Sequence, residues 1–319
     1  MEKAYKTIIT STIPKEWVKK LSSISEVIIW PGGNHFLMPR DYLIKILPET
    51  DAIINTADVK ADKELLNHAS RLKIISNASI GYDNLNLKEL TTRGIWACNT
   101  PGFFNYPVAE YIIAGMLTLS RKLGEAERFV RQNEWNAFEP GRWDGKSLKE
   151  MSIGIVGMGA IGTELMNLAK AFGMKVRYYD HNKQKIPGYT NLDKLLNTSD
   201  FVSINVPLNS STKHMVNQNF LNKLKDDAIL INTSRGAVVE QNALIKALKS
   251  GQIKGAILDV FENEPYVPTD LRKLENVFIT PHIAGGTKSA RKASMESAAF
   301  NVFSVLSGNK PINSLNQIE

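Results

Sequence analysis

Cysteine is almost missing from this sequence: Cys98 is the only one in 319 residues. That excludes an intramolecular disulfide framework and a cysteine-rich metal site, and no metal is expected. Long apolar runs are missing too. The best candidate for a membrane span, VAEYIIAGMLTL, is too short and contains Glu110. The N-terminal stretch MEKAYKTIITSTIPKEW has lysines but no continuous apolar region closing on a small-residue cleavage site, so no signal peptide is read. Nor is there a long basic tract. Lys and Arg number 39 against 32 Asp and Glu, a net charge of +7, but they fall in short pairs such as Lys19-Lys20 and Arg291-Lys292. A scattered basic surface suits attraction of small anions better than a nucleic-acid footprint. A cytoplasmic protein with neither nucleic-acid nor membrane partners is expected.

What is present is an ordinary globular composition, 43% hydrophobic, on a chain longer than a single core normally sustains. Two domains are the natural expectation. Short β-branched runs (KTIIT, EVIIW, DAIINT, LKIISN, GIWAC) alternate with helically patterned segments (PKEWVKKL, PRDYLIKIL, DKELLNHASRL). Such alternation predicts an α/β fold with a parallel sheet covered on both faces. The pattern breaks at residues 106–132, which read as one long helix with Pro107 in its first turn. That helix is apolar around most of its circumference, which fits either burial within the chain or a subunit interface. A second series of strands follows: SIGIV, KVRYY, FVSIN, AILIN, GAILD and NVFIT. The segment TKSARKASMESAAFNVFSVLSG closes the chain as a helix.

The stretch SIGIVGMGAIG contains Gly157-x-Gly159-x-x-Gly162 directly after a strand and opening a helix. In that context the first glycine permits a tight turn and the second lets backbone approach a pyrophosphate. The third lets the helix pack close to the sheet. The next strand ends at Asp180, about 20 residues on, where an acid can bind both ribose hydroxyls and repel a 2′-phosphate. NAD(H) is therefore expected over NADP(H), although Lys183 and Lys185 could partly neutralise a phosphate.

A dinucleotide site implies hydride transfer and a proton donor, for which histidine is the usual choice. Of the five histidines, His35, His68, His181 and His214 read as surface residues. His282 instead follows the strand NVFIT, at the strand end where parallel sheets bind ligands. Arg235 follows AILIN, and Glu264 comes soon after GAILD. Singly, each has an ordinary structural explanation: a partner carboxylate, solvent, or a satisfied hydrogen bond. Together they bring a cation, a carboxylate and an imidazole to one sheet edge. Arg235, always charged and costly to leave unpaired, would await a substrate carboxylate.

Over nearly its full length the chain resembles the D-isomer-specific 2-hydroxyacid dehydrogenases, and within them most the glyoxylate/hydroxypyruvate reductases. The resemblance is carried by SIGYDNLNL, LLNTSDFVSINVPLNSSTKHMVN, LKDDAILINTSRGAVV, LDVFENEP and TPHIAGGT. It implies two doubly wound parallel-sheet domains, a Rossmann cofactor domain at 101–285 inserted in a flavodoxin-like substrate domain at 1–100 and 286–319. It implies Arg235, Glu264 and His282 as the catalytic set, with backbone amides around Ser79, Ile80 and Gly81, beside Arg235, on the substrate carboxylate. For the cofactor it implies Gly157, Met158, Gly159, Ala160, Ile161, Gly162, Asp180, Val206, Pro207, Thr212, Thr233, Ser234, Asp259, His282, Ala284 and Gly285. The implied activity is NAD(H)-dependent interconversion of a small 2-oxo acid and its D-2-hydroxy acid, in a homodimer formed through the cofactor domain. Two other readings stay open. Phosphoglycerate dehydrogenation would need more cations than Lys60 of INTADVKAD provides, and an NAD-sensing regulatory protein would be expected to carry partner-binding extensions.

Overall fold

The computed structural model describes residues 3–32, 36–56, 58–182 and 186–318. The chain forms two compact units, Met1–Phe104 with Thr287–Glu319, and Asn105–Gly286.

The first unit is built on five parallel strands: β1 (Tyr5–Ile9), β2 (Ser25–Ile29), β3 (Ala52–Asn55), β4 (Ile74–Asn77) and β5 (Trp96–Cys98). Their order is β2-β1-β3-β4-β5, the flavodoxin-like arrangement. Each interior strand is apolar on both sides because both sheet faces are covered. Ile8, Ile53, Ile75 and Ala97 face α1 (Arg40–Ile46), α2 (Lys63–Leu66) and α3 (Leu87–Thr92), packing with Leu43, Leu65, Leu66 and Leu90. Ile9, Ile54, Ile74 and Cys98 line the opposite face with Met295, Ala298 and Val302 of the C-terminal helix, Lys288–Leu306. Thr287 caps that helix by accepting from the Ala290 amide. The segment PKEWVKKL forms only short 3₁₀ turns, Lys15–Val18 and Leu21–Ser23.

The second unit opens with α4 (Asn105–Ser120) and α5 (Leu123–Arg131). The single helix expected over 106–132 is therefore two. Lys122 adopts a left-handed φ of 52°. The Ser120 carbonyl, which a continuous helix would use internally, accepts from the Lys146 amide at 3.1 Å. Six parallel strands follow: β6 (Ser152–Val156), β7 (Lys175–Tyr179), β8 (Phe201–Ile204), β9 (Ile229–Asn232), β10 (Gly255–Leu258) and β11 (Val277–Ile279). They run β11-β10-β9-β8-β6-β7 across the sheet, and Tyr189 extends the β7 edge by a single parallel bridge to Tyr178. With that bridge the order is the doubly wound one, reversing between β6 and β8.

One face of this sheet packs against α7 (Leu192–Thr198), α8 (Gln218–Leu221) and α9 (Gln241–Lys249) through Leu195, Leu196, Phe220, Leu244 and Leu248. The other carries α4 and α6 (Ala160–Ala171). Gly115 lets α4 lie directly on β10, since a Cβ there would stand 2.8 Å from Ile257. The apolar circumference of α4 is thus largely consumed within the unit: Val108, Ala109, Ile112, Ile113 and Met116 are buried. No helix among the described residues is long and apolar enough to cross a membrane.

Candidate active site

Arg235 is placed by the way β9 ends. Asn232, its last residue, is buried, and its side chain closes the turn that follows. Its Oδ1 accepts from the amide and hydroxyl of Ser234, and its Nδ2 donates to the Arg235 carbonyl at 3.0 Å. The chain therefore turns within three residues of the strand, with Thr233, Ser234 and Arg235 half-buried at the carboxyl edge. Gly236 then allows backbone contact with the next loop, because a Cβ there would lie 1.9 Å from the Phe261 carbonyl.

That next loop leaves β10 through Asp259. Asp259 is wholly buried, and its carboxylate accepts from the Thr280 hydroxyl at 2.6 Å and from the Ile283 and Ala284 amides at 2.7 Å each. Its own carbonyl accepts from the His282 amide at 2.9 Å. Three donors make the buried charge tolerable, and their common effect is to clamp the turn after β11. His282 stands on that turn with φ of 54°, a left-handed conformation that a non-glycine residue holds only when its surroundings impose it. Because the Thr280 hydroxyl spends its proton on Asp259, its contact with the Tyr111 phenol must be donated by Tyr111. Burial pushes the Tyr111 phenol up to about 12, so it stays a donor.

Glu264 completes the arrangement. Its Oε1 accepts from the Phe261 amide at 2.9 Å, and its Oε2 lies 2.9 Å from Nδ1 of His282. Burial works to raise its pKa, but the His282 hydrogen bond, the Phe261 amide and the Arg235 charge together hold the carboxyl below its ordinary range. The ring atom left for a reacting group is Nε2. Arg235, Glu264 and His282 thus come from three adjacent strand ends, β9, β10 and β11, on one sheet edge.

The same edge carries the glycine loop. Gly157 has φ of 95° and lies so close to the Asn205 carbonyl that a Cβ would sit 2.6 Å away. Gly162 packs onto Gly157 with equal lack of room, 2.4 Å, which brings α6 down on the sheet. Gly159 is different: nothing lies within 4 Å of a Cβ built on it, so the space beside it is open to a ligand. Met158, Ala160 and Ile161 belong to the same loop and to the first turn of α6, whose amides have no helical acceptor. Asp180, at the end of β7, accepts from the Met158 amide at 2.7 Å and the Asn182 amide at 2.9 Å. Val206 and Pro207 follow β8, and the Thr212 hydroxyl donates to the Pro207 carbonyl at 2.6 Å. Ala284 is buried beside Gly285 on the His282 turn.

Ser79, Ile80 and Gly81 belong to the other unit, in the loop after β4. Their carbonyls are all turned inward: Thr100 donates to Ser79, Asn99 Nδ2 to Ile80 at 2.8 Å, and Asn77 Nδ2 to Gly81 at 3.0 Å. Their amides have no protein acceptor among the described residues. Successive unpaired amides of this kind form a concavity for an anion.

Residues 113–284 match the family model for the D-isomer specific 2-hydroxyacid dehydrogenase, NAD binding domain. The chain belongs to that family. It is 42% identical to the glyoxylate reductase of Thermococcus litoralis, over 98% of this chain and 97% of that one. Among solved structures it resembles the NADPH-dependent glyoxylate/hydroxypyruvate reductase of Sinorhizobium meliloti in complex with NADP and malonate. There the TM-score is 0.85 and the identity 27%, over 98% of this chain and 96% of the other. It also resembles D-lactate dehydrogenase from Aquifex aeolicus complexed with NAD and lactic acid, with a TM-score of 0.86 and 28% identity over 98% and 100% of the two chains. The open space at Gly159, the leading amides of α6 and the Asp180 carboxylate suit the nicotinamide dinucleotide that a 2-hydroxyacid dehydrogenase requires.

Sequence reasoning missed several residues that shape this dehydrogenase's site. Asn232, Thr280 and Tyr111 brace the candidate residues of the six-stranded unit, and Asn77 and Asn99 those of the five-stranded one; the visible signal was a polar residue closing an apolar strand, as in ILIN and IISN. His214 lies at the surface as read, its side chain 37% exposed, but it is not without a partner. Its Nε2 lies 2.5 Å from Oε1 of Glu262, with both side chains partly buried. His68 and His181 are exposed, whereas His35, Lys183 and Lys185 lie outside the described residues. Among the described residues no cluster of His, Cys, Asp and Glu could hold a metal ion.

Proposed function

We propose that this dehydrogenase is an NAD(H)-preferring reductase of glyoxylate and hydroxypyruvate, forming the D-hydroxy acid where a stereocentre arises. The observation that carries this reading is the 2.9 Å contact of His282 with Glu264, on the two strand ends next in line to that of Arg235. The full-length likeness to glyoxylate reductases supports the substrate class.

A bound reduced nicotinamide supplies a hydride to C2 of the 2-oxo acid. The chain does the rest. Arg235 pairs with the substrate carboxylate and polarises the adjacent carbonyl oxygen, acting where negative charge develops. His282, protonated, donates from Nε2 to that oxygen as it becomes an alkoxide. Glu264 keeps Nδ1 protonated and the ring fixed. The amides of Ser79, Ile80 and Gly81 offer the five-stranded unit donors suited to an anionic group of the substrate. Glycine-loop residues 157–162 hold the pyrophosphate, and Asp180 accepts from the adenosine ribose hydroxyls. We assign the substrate role to the five-stranded unit and the cofactor role to the six-stranded one. A homodimer is proposed through α5 and the loop beyond it, where Leu123, Val130, Trp135 and Phe138 are exposed.

The test is a panel of 2-oxo acids assayed with NADH and NADPH: glyoxylate, hydroxypyruvate, pyruvate, branched 2-oxo acids and phosphohydroxypyruvate. Glyoxylate and hydroxypyruvate should give the highest kcat/KM, with NADH above NADPH. A preference for a branched or phosphorylated substrate would overturn the substrate class.

A further inference from the structure

The motif LDVFENEP offers two glutamates, and the chemistry above uses only Glu264. Glu262 is engaged elsewhere, 2.5 Å from His214. His214 sits at a junction. Its amide donates to the Ala237 carbonyl at 2.9 Å, so its backbone rides on the segment immediately after Arg235. Its ring reaches the loop that carries Glu264. Its own loop, from Pro207 to His214, follows β8 and is tied internally through Thr212. One residue therefore touches the Arg235 turn by backbone and the Glu264 loop by side chain.

The Glu264 loop has few other holds between Phe261 and Glu264. The Glu262 amide reaches Gln241 Oε1 only at 3.4 Å, near the limit of a hydrogen bond. Gly236 brings the two loops into contact but supplies no directional bond. The short His214–Glu262 bond, partly shielded and charge-assisted when His214 is protonated, joins the His214 amide bond to Ala237 in linking them by way of the loop after β8. His214 also holds φ of 52°, in the left-handed region.

We propose that His214 and Glu262 form a positioning pair, locking the Glu264 loop to the Arg235 turn and so setting the aim of the Glu264 carboxylate at His282. The proposal rests on the assignment of Glu264 and His282 as the proton-delivering pair. Neither His214 nor Glu262 is among the residues assigned above to substrate or cofactor. The charged groups that face Glu264 are His282 and Arg235.

The test separates pairing from backbone conformation. His214→Asn suits a left-handed φ but is too short to reach Glu262; His214→Gln keeps the reach and a donor, and the strain. If the pair positions Glu264, His214→Asn should lower kcat for glyoxylate reduction by about tenfold, with KM for NADH and glyoxylate within about threefold of wild type. The alkaline limb of the pH–kcat/KM profile should move to lower pH, and His214→Gln should restore both kcat and the limb. Glu262→Gln should reproduce the His214→Asn profile, and the two changes combined should do little more than either alone. A merely structural role predicts the reverse order, with Asn as good as wild type and Gln no better than Asn. Wild-type rate and pH profile in His214→Asn, with activity still abolished in His282→Ala, would overturn this proposal and leave the proton-delivery assignment standing. Normal reduction by His282→Ala would instead remove the assignment on which the pair depends, and the pair with it.

Discussion

Nδ1 of His282 lies 2.9 Å from Oε2 of Glu264, so one ring nitrogen is committed to the carboxylate and only Nε2 remains to exchange a proton. In the proposed mechanism, reduction draws on the charged imidazolium and oxidation on the neutral ring. The pH behaviour of the reaction follows from which partner loses its charge first.

Glu264 is held below its ordinary pKa although burial opposes this. A depressed carboxyl favours the pair above its ordinary range and releases that advantage as pH falls through the lowered value. Reduction should therefore persist into acid beyond the ordinary carboxylate range. Glu264→Gln should move the alkaline limb of reductive kcat/KM to lower pH, with a smaller loss in acid, where His282 is charged regardless. Deuteride substitution would establish that chemistry limits the rate. An unmoved alkaline limb under those conditions would mean that Glu264 does not tune His282.

Cofactor choice should turn on Asp180. Its carboxylate now accepts from the Met158 amide at 2.7 Å, at the mouth of the glycine loop, where a ribose would come to lie. Charged hydrogen bonds are worth about 1.5–3 kcal/mol, so Asp180→Ser should narrow the NADH-to-NADPH ratio of kcat/KM by about tenfold or more. Equal wild-type efficiency with the two cofactors would contradict the assignment.

The donors beneath His282 should rank by their distance from Asp259. Thr280→Val removes a direct donor to a buried carboxylate and strands the Tyr111 phenol, a penalty of about 1–3 kcal/mol. It should lower Tm by several degrees and reduce kcat. Tyr111→Phe removes only the outer link and should do less on both counts. Calorimetry and steady-state rates on the two variants give the order, and a larger effect from Tyr111→Phe would break the chain of donors inferred from Thr280.

Away from the site, Asp200 accepts from the amide and hydroxyl of Ser152 at 2.7 Å each and pairs with Lys225 at 2.5 Å. Burial pulls its pKa upward, yet Lys225 and Ser152 leave it lowered from 3.8. The stabilisation is present above that ordinary value and is lost as pH falls through the lowered one. Asp200→Asn should thus melt a few degrees below wild type at pH 7, and the gap should close as pH falls below 3.8. A gap constant with pH would assign the effect to packing instead.

All eleven strands were legible, because β-branched runs covered on both faces leave a continuous apolar signature. Arg235, Glu264 and His282 were legible as positions after strands, and the glycine loop as spacing in context. The break at Lys122 was not, since it depends on Lys146 reaching the Ser120 carbonyl from beyond the helix. The partner of His214 was hidden for the same kind of reason: it is 48 positions away, and the polar loop SSTKHMV contains nothing that announces it. The asparagines closing AIIN, IISN and ILIN were visible but unexplained. Each proves to be committed: Asn55 to Asn77, Asn77 to Gly81, and Asn232 to the Arg235 carbonyl.

The solitary cysteine acquires a use in this setting. Cys98 lies at the end of β5 on the sheet face covered by the C-terminal helix, fully enclosed, and burial pushes its thiol up to about 12. Almost no thiolate exists at neutral pH to meet an oxidant or alkylating agent. Labelling must wait until that helix lifts or the five-stranded unit unfolds. The rate at which a small thiol reagent modifies the native protein therefore reports those openings from a residue the chain already carries.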